Sequence, residues 1–236
     1  MAWTAGGDEG VFRSTRRRSV WGMDLGRVFA GVPRVGVVDG CTYCYPQSDL
    51  DLLGGDPALV PDHLVGSFAR EVLDHWSEEQ YGLLWRGLAP RILSLLEASP
   101  DERMLRGLTF ARFSTWPDGE QAAVRDALRV MVARAVTGDK TERFVEQLVC
   151  AAAHVDHDLT PWLTYLDTLT GADADAGIAR LARHWADDLA FGSEPMLWWF
   201  PADPAAPIRD WLYSDALHER LSQMDDRETL IAIAEM

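Results

Sequence analysis

Pro61-Asp62-His63-Leu64-Val65-Gly66-Ser67-Phe68-Ala69-Arg70-Glu71-Val72-Leu73-Asp74-His75-Trp76 runs into Ser77-Glu78-Glu79-Gln80-Tyr81-Gly82-Leu83-Leu84-Trp85-Arg86-Gly87-Leu88-Ala89-Pro90-Arg91-Ile92-Leu93-Ser94-Leu95-Leu96-Glu97, and this pair decides the fold. Leu64, Val65, Phe68, Val72 and Trp76 recur at helical spacing. Tyr81, Leu84, Trp85, Leu88, Ile92, Leu95 and Leu96 do so again after the break at Ser77-Glu78. Two such stripes describe two amphipathic helices folded back on each other. Pro61 and Asp62 suit a first turn, where a missing N–H does no harm and a carboxylate meets the positive end of the dipole. Pro90 lies inside the second stripe and is expected to kink it.

The theme repeats downstream. Met104, Leu105, Leu108 and Ala111 mark a third helix after Ser99-Pro100-Asp101. Trp116-Pro117-Asp118 opens a fourth, with Val124, Leu128, Met131, Val132 and Ala135 on its buried face and Gly138 as its stop. Thr141 caps a fifth, whose apolar side is Phe144, Leu148, Ala152 and Val155. Thr160-Pro161 starts a sixth through Trp162, Tyr165, Leu166 and Leu169. Ile178, Leu181, Trp185 and Leu189 trace a seventh, and Ile208, Trp211, Leu212, Leu217 and Leu221 a last helical section. Helices separated by breaks of a few residues stack as antiparallel neighbours. The reading is therefore all-α: an antiparallel helical bundle or a short HEAT-like array of helical hairpins, preceded by a short irregular N-terminal segment. Trp76, Trp116 and Trp162 are loosely spaced near forty residues apart, as in a repeat, but no motif recurs around them.

Residues 1–22 read as a mobile basic tail and residues 23–236 as one helical domain, with Met23 as an alternative start. Arg16-Arg17-Arg18 invites comparison with a twin-arginine export signal, but Asp24 and Arg27 interrupt the segment after it and no apolar run forms. Cytoplasmic is the expected location, and no window approaches a membrane span. With 236 residues, 47% of them hydrophobic, and ten Trp, the chain has ample material for a core. The net charge is −15; residues 1–44 carry +2, which leaves −17 for the body. So acidic a body argues against sequence-independent nucleic-acid binding and against anionic membrane, since both need clustered cations. A basic protein or peptide stays open as a partner.

Three cysteines, Cys41, Cys44 and Cys150, are too few and too odd for a secreted disulfide framework. Cys41-Thr42-Tyr43-Cys44 forms a CxxC knuckle after the turn residues Asp39-Gly40. A thioredoxin-like dithiol would need a βαβ frame, and the downstream sequence has none. Half a zinc site and a pair of reduced thiols in a packed turn are the two other readings. As half a zinc site the knuckle lacks two ligands. Cys150 and His154 are four apart on the fifth helix, on a face shared with Arg143 and Gln147 and rotated away from the apolar stripe. A Cys41, Cys44, Cys150, His154 centre would staple the N-terminal segment to the helical body, with zinc as its metal. His184 with Asp187 and Asp188 reads as a solvated helix face, while His157 among its acidic neighbours and Asp74-His75-Trp76 read as helix ends. No GxSxG, P-loop, GxGxxG or HExxH occurs.

Several short stretches carry a resemblance. They are Cys41-Thr42-Tyr43-Cys44, Leu88-Ala89-Pro90-Arg91-Ile92-Leu93, Trp116-Pro117 with Glu120, Asp158-Leu159-Thr160-Pro161-Trp162-Leu163, and Asp210-Trp211-Leu212-Tyr213-Ser214 with Glu219-Arg220-Leu221. In this order they resemble a family of uncharacterised bacterial helical proteins that open with a C-[PT]-H-C knuckle. The resemblance covers about residues 41–221 and implies a shared fold without an activity. Tyr43 stands where that pattern has histidine.

Met196-Leu197-Trp198-Trp199-Phe200-Pro201 differs from the helical stripes. Adjacent tryptophans cannot share one face of a regular element, so Trp198, Trp199 and Phe200 are candidates for the anchor of a partner surface. The function expected from the sequence is protein or peptide recognition by an acidic helical surface. The alternative is a metalloprotein or enzyme built on the knuckle and the fifth helix.

Overall fold

The computed structural model describes residues 24–71 and 75–236. The tail at 1–22, Met23 and the stripe residue Val72 lie outside the described residues. The chain is all-α, with twelve α-helices and no strand among the described residues. Two short helices, α1 (Leu25–Val28) and α2 (Gln47–Gly54), flank the knuckle. The founding pair is α3 (Asp62–Arg70) and α4 (Glu78–Ala98). α4 begins with Glu78 and Glu79 in its first turn and runs through Pro90 to Ala98.

α3 stops at Arg70, earlier than its stripe predicts, and Glu71 is already extended. The reason lies in what takes up its last carbonyls. The Arg106 guanidinium donates to the Arg70 carbonyl at 2.8 Å and the Tyr81 hydroxyl to the Glu71 carbonyl at 2.9 Å. Groups that a further helical turn would have to satisfy are thus met by side chains from elsewhere. His75 consequently sits between α3 and α4, in 3-10 conformation just before Trp76 and outside either α-helix.

The expected third helix is also broken, into a 3-10 turn at Glu102–Leu105 and the short α5 (Gly107–Phe110). Beyond it come α6 (Asp118–Thr137), α7 (Glu142–Ala153), α8 (Thr160–Thr168) and α9 (Ala172–Ala190). The Thr141 hydroxyl accepts from the Phe144 amide at the head of α7, as the sequence predicts. The last helical section is two helices, α10 (Ala206–Leu212) and α11 (Asp215–Gln223). A further one, α12 (Arg227–Ala234), lies beyond the reach of the sequence reading and packs on α9.

Helices α6, α7 and α9 each touch the other two, while α3 and α4 pair beside them and α4 also meets α6. Such mutual packing closes a bundle, whereas an array of hairpins joins only successive units. Gly177 on α9 permits the closest approach: a Cβ there would collide with the Val136 carbonyl oxygen on α6. Every helix contributes to one buried cluster, which includes Phe68, Tyr81, Trp85, Trp162, Trp185 and Trp211. Full burial of each such side chain contributes about 1.5–3 kcal/mol.

Candidate metal centre

The knuckle is held in place by backbone contacts to the segment before α4. Gly40 forms an antiparallel bridge with Trp76, and the Cys41 amide donates to the His75 carbonyl at 2.9 Å. Gly40 is required there, since a Cβ would lie 2.7 Å from a Leu50 methyl and 3.0 Å from the Trp76 ring. Gln80, on the first turn of α4, clamps the approach by accepting from the Asp39 amide at 2.8 Å and donating to the Val37 carbonyl at 3.2 Å. Beneath lies an aromatic floor. The Trp76 ring centroid is 5.0 Å from that of Tyr45 and 5.3 Å from that of Phe68, which also meets Tyr81 at 5.3 Å.

This bracing brings Cys41, Cys44 and His75 together. Two sulfurs and an imidazole nitrogen lie within 4.8 Å of one another, with Cys44 Sγ 3.6 Å from His75 Nδ1. The other ring nitrogen, Nε2, faces the Glu71 carboxylate at 3.6 Å. Two thiols and one imidazole form a soft donor set suited to zinc. A carboxylate behind a ligating histidine fixes its ring orientation and raises its basicity. The His75 imidazole, then the Cys44 and Tyr43 amides, lower the Cys41 thiol to about 7. Desolvation, followed by the neighbouring Cys41 thiol and the Glu71 charge, pushes the Cys44 thiol up. Among the described residues, no arginine or lysine acts on either sulfur.

Cys150 and His154 do not join the knuckle, which corrects the ligand set expected from spacing. Both are core residues, at 3% and 2% exposure. The face they share looked polar because Arg143 and Gln147 begin it, but α6, α9 and the 3-10 turn at Glu102–Leu105 cover α7 from several sides. Burial raises the Cys150 thiol far above its ordinary range. Burial, with the charges of His157 and Arg106, lowers His154 to about 3, so its imidazole is neutral and meets the Trp199 ring edge-on at 5.0 Å.

A second cluster joins α7 to α9. His184 pairs with Glu146 at 3.1 Å and with Asp188 at 3.6 Å, so Glu146 replaces the Asp187 of the spacing argument. Glu146 is a charged residue at 4% exposure, and Arg143 donates to it at 2.7 Å. Its carboxyl is pushed up by burial but brought below its ordinary value overall by the His184 hydrogen bond and the Arg143 charge. The bond to Glu146 in turn raises His184. Here a guanidinium already occupies the place a cation would take.

In the aromatic stretch, intramolecular contacts take up both tryptophans. The Arg106 guanidinium lies over Trp198, 4.9 Å from its centroid, and His157 stacks parallel to Trp199 at 5.6 Å. Phe200 projects at 72% exposure, with Phe191 and Met196 also exposed on the same connection.

Fold and donor set together define an all-α helical protein with a two-cysteine, one-histidine candidate centre at its N-terminal side. No family model, curated protein or solved structure matches the chain.

Sequence reasoning missed His75. Its separation from the knuckle, 31 positions from Cys44, carries no periodic signal, and only the bridge from Gly40 to Trp76 makes them neighbours.

Proposed function

We propose that the protein binds zinc through Cys41, Cys44 and His75, with Glu71 orienting the imidazole, in a reducing cytoplasm where these thiols stay free. The observation that carries the reading is the trio itself: three donors from two chain segments within 4.8 Å, a carboxylate behind them and, among the described residues, no arginine or lysine acting on the sulfurs. Bound as thiolates, the two sulfurs beside a carboxylate would carry negative charge that a divalent cation offsets. The metal would staple the knuckle to the segment before α4 and keep a fourth position for water or a further ligand. The resembled bacterial pattern has its imidazole inside the knuckle. Here Tyr43 takes that place, at 97% exposure, and His75 supplies the imidazole from another segment.

Metal analysis of protein purified without chelators tests this. About one equivalent of zinc is expected, lost in His75→Ala and retained in Cys150→Ala. Metal lost in His154→Ala but kept in His75→Ala would restore the ligand set expected from spacing, and no metal in any preparation refutes the reading.

A second reading concerns partners. The charge of −15 and the exposed Phe191, Met196 and Phe200 support recognition of a basic protein or peptide segment. No described helix is long and apolar enough to cross a membrane. Titration with a lysine- and arginine-rich peptide is expected to show binding that weakens as salt rises, and to weaken further in Phe200→Ser. No binding at low ionic strength refutes it.

A further inference from the structure

Cys41 and Cys44 occupy one tight turn. The amides of Cys44 and Tyr45 both donate to the Cys41 carbonyl, at 3.1 and 2.9 Å. A turn of this kind holds the Cα atoms of positions i and i+3 within about 7 Å, at the edge of the span a disulfide bridges. The sulfurs already lie within 4.8 Å of each other. Thr42, Tyr43 and Cys44 are exposed, so a small oxidant reaches them from solvent. The backbone ties to His75 and Trp76 and the bonds to Gln80 lie at Cys41 or before it, while Cys44 meets His75 only through its sulfur, at 3.6 Å. The remaining thiol, Cys150, is buried at 3% exposure and is no competitor for either sulfur.

We infer that the knuckle is a hydroperoxide-responsive dithiol switch, in which oxidation joins Cys41 to Cys44 and removes both sulfur ligands from the metal. One thiolate attacks a peroxide oxygen, the O–O bond breaks, and the departing hydroxide is protonated to water. The second thiolate attacks the resulting sulfenic sulfur, an S–S bond forms, and a second hydroxide leaves as water. Two electrons pass from the sulfur pair to one peroxide. The metal, left with His75 alone, dissociates as the divalent ion; this release step rests on the zinc reading above.

Reduced, zinc-loaded full-length protein titrated with hydrogen peroxide beside a chromogenic zinc chelator tests the switch. One zinc is expected to leave per peroxide consumed, with the loss of two thiols and a peptide map that joins Cys41 to Cys44. Cys150 stays free, and a thiol reductant restores zinc binding. Cys150→Ala is expected to behave identically, which shows the pair to be sufficient. Oxidation that halts at sulfinic acid on one cysteine, a disulfide that includes Cys150, or zinc retained at saturating peroxide overturns the switch. Protein that carries no zinc yet forms the Cys41–Cys44 disulfide overturns the metal reading and upholds the dithiol. Zinc-bound protein that resists peroxide does the reverse.

Discussion

The knuckle and the α7–α9 cluster each gather three potential metal ligands, but they differ in what balances their charge. Glu146, His184 and Asp188 have Arg143 among them, its guanidinium 2.7 Å from the buried carboxylate. Cys41, Cys44 and His75 have Glu71 instead, which adds negative charge. Proximity of donors is therefore not enough to make a candidate metal site; whether an arginine or lysine stands among them matters as much, and among the described residues none stands at the knuckle. A carboxylate cluster that supplies its own arginine has its charge balanced from within, whereas under the zinc proposal the thiol cluster would draw on an external cation.

Substitutions can break this contrast, and the largest effect belongs to the knuckle. Cys41→Ser is expected to abolish stoichiometric zinc binding, read by metal analysis after gel filtration, while leaving helix content by circular dichroism unchanged. Undiminished zinc would place the metal elsewhere. On the other side, Glu146→Ala strips Arg143 and His184 of their shared partner. We expect a loss of about 2 kcal/mol in denaturant unfolding, since a buried charge-assisted network is broken but Arg143 stays largely solvated. Zinc stoichiometry should not change, and a fall in it would show that the two clusters are not independent.

A subtler variant sharpens the role of the carboxylate behind His75. Glu71→Gln keeps shape and hydrogen bonding but removes charge, and a zinc affinity weaker by about 10–100-fold is expected by competition with a chromogenic chelator. Affinity equal to wild type would mean that Glu71 does not act on the imidazole. Smallest is the effect of pH on the α7–α9 pair. His184 is raised above its ordinary 6.5 by Glu146, with Asp188 adding and Arg143 opposing. A raised folded value means that its stabilisation is complete below about pH 6.5 and is lost as pH climbs through the folded value. Stability of the wild type should fall by about 0.5 kcal/mol across that window, and His184→Gln should flatten the profile. An identical slope in both proteins would assign the titration to other groups.

Much of the helical order was legible because it is written locally. The stripe of α4, the Pro117-Asp118 opening of α6 and the Thr141 cap each follow from residues within a turn or two. The stop of α3 was not, because Arg106 and Tyr81 reach back to take its final carbonyls. α12 went unread, and its polar-flanked apolar run Leu230–Ala234 becomes a helix face only against α9. Trp198 and Trp199 read as partner anchors in the sequence; in the structure Arg106 lies over one and His157 stacks on the other, and both stay half-buried.

By itself the sequence determined the helical class, most helix starts, the acidic body and the CxxC turn, since all depend on neighbours along the chain. Tertiary structure alone decided which imidazole meets the knuckle. Cys150 and His154 had the spacing, yet they face a core that three elements enclose, where a thiolate or a charged imidazole is penalised by desolvation. His75 had no spacing to recommend it, and a backbone bridge between Gly40 and Trp76 set its ring 3.6 Å from Cys44. Periodicity reports which residues share a face of one element. Which residues of different elements meet is fixed by how those elements pack, and no local pattern encodes that.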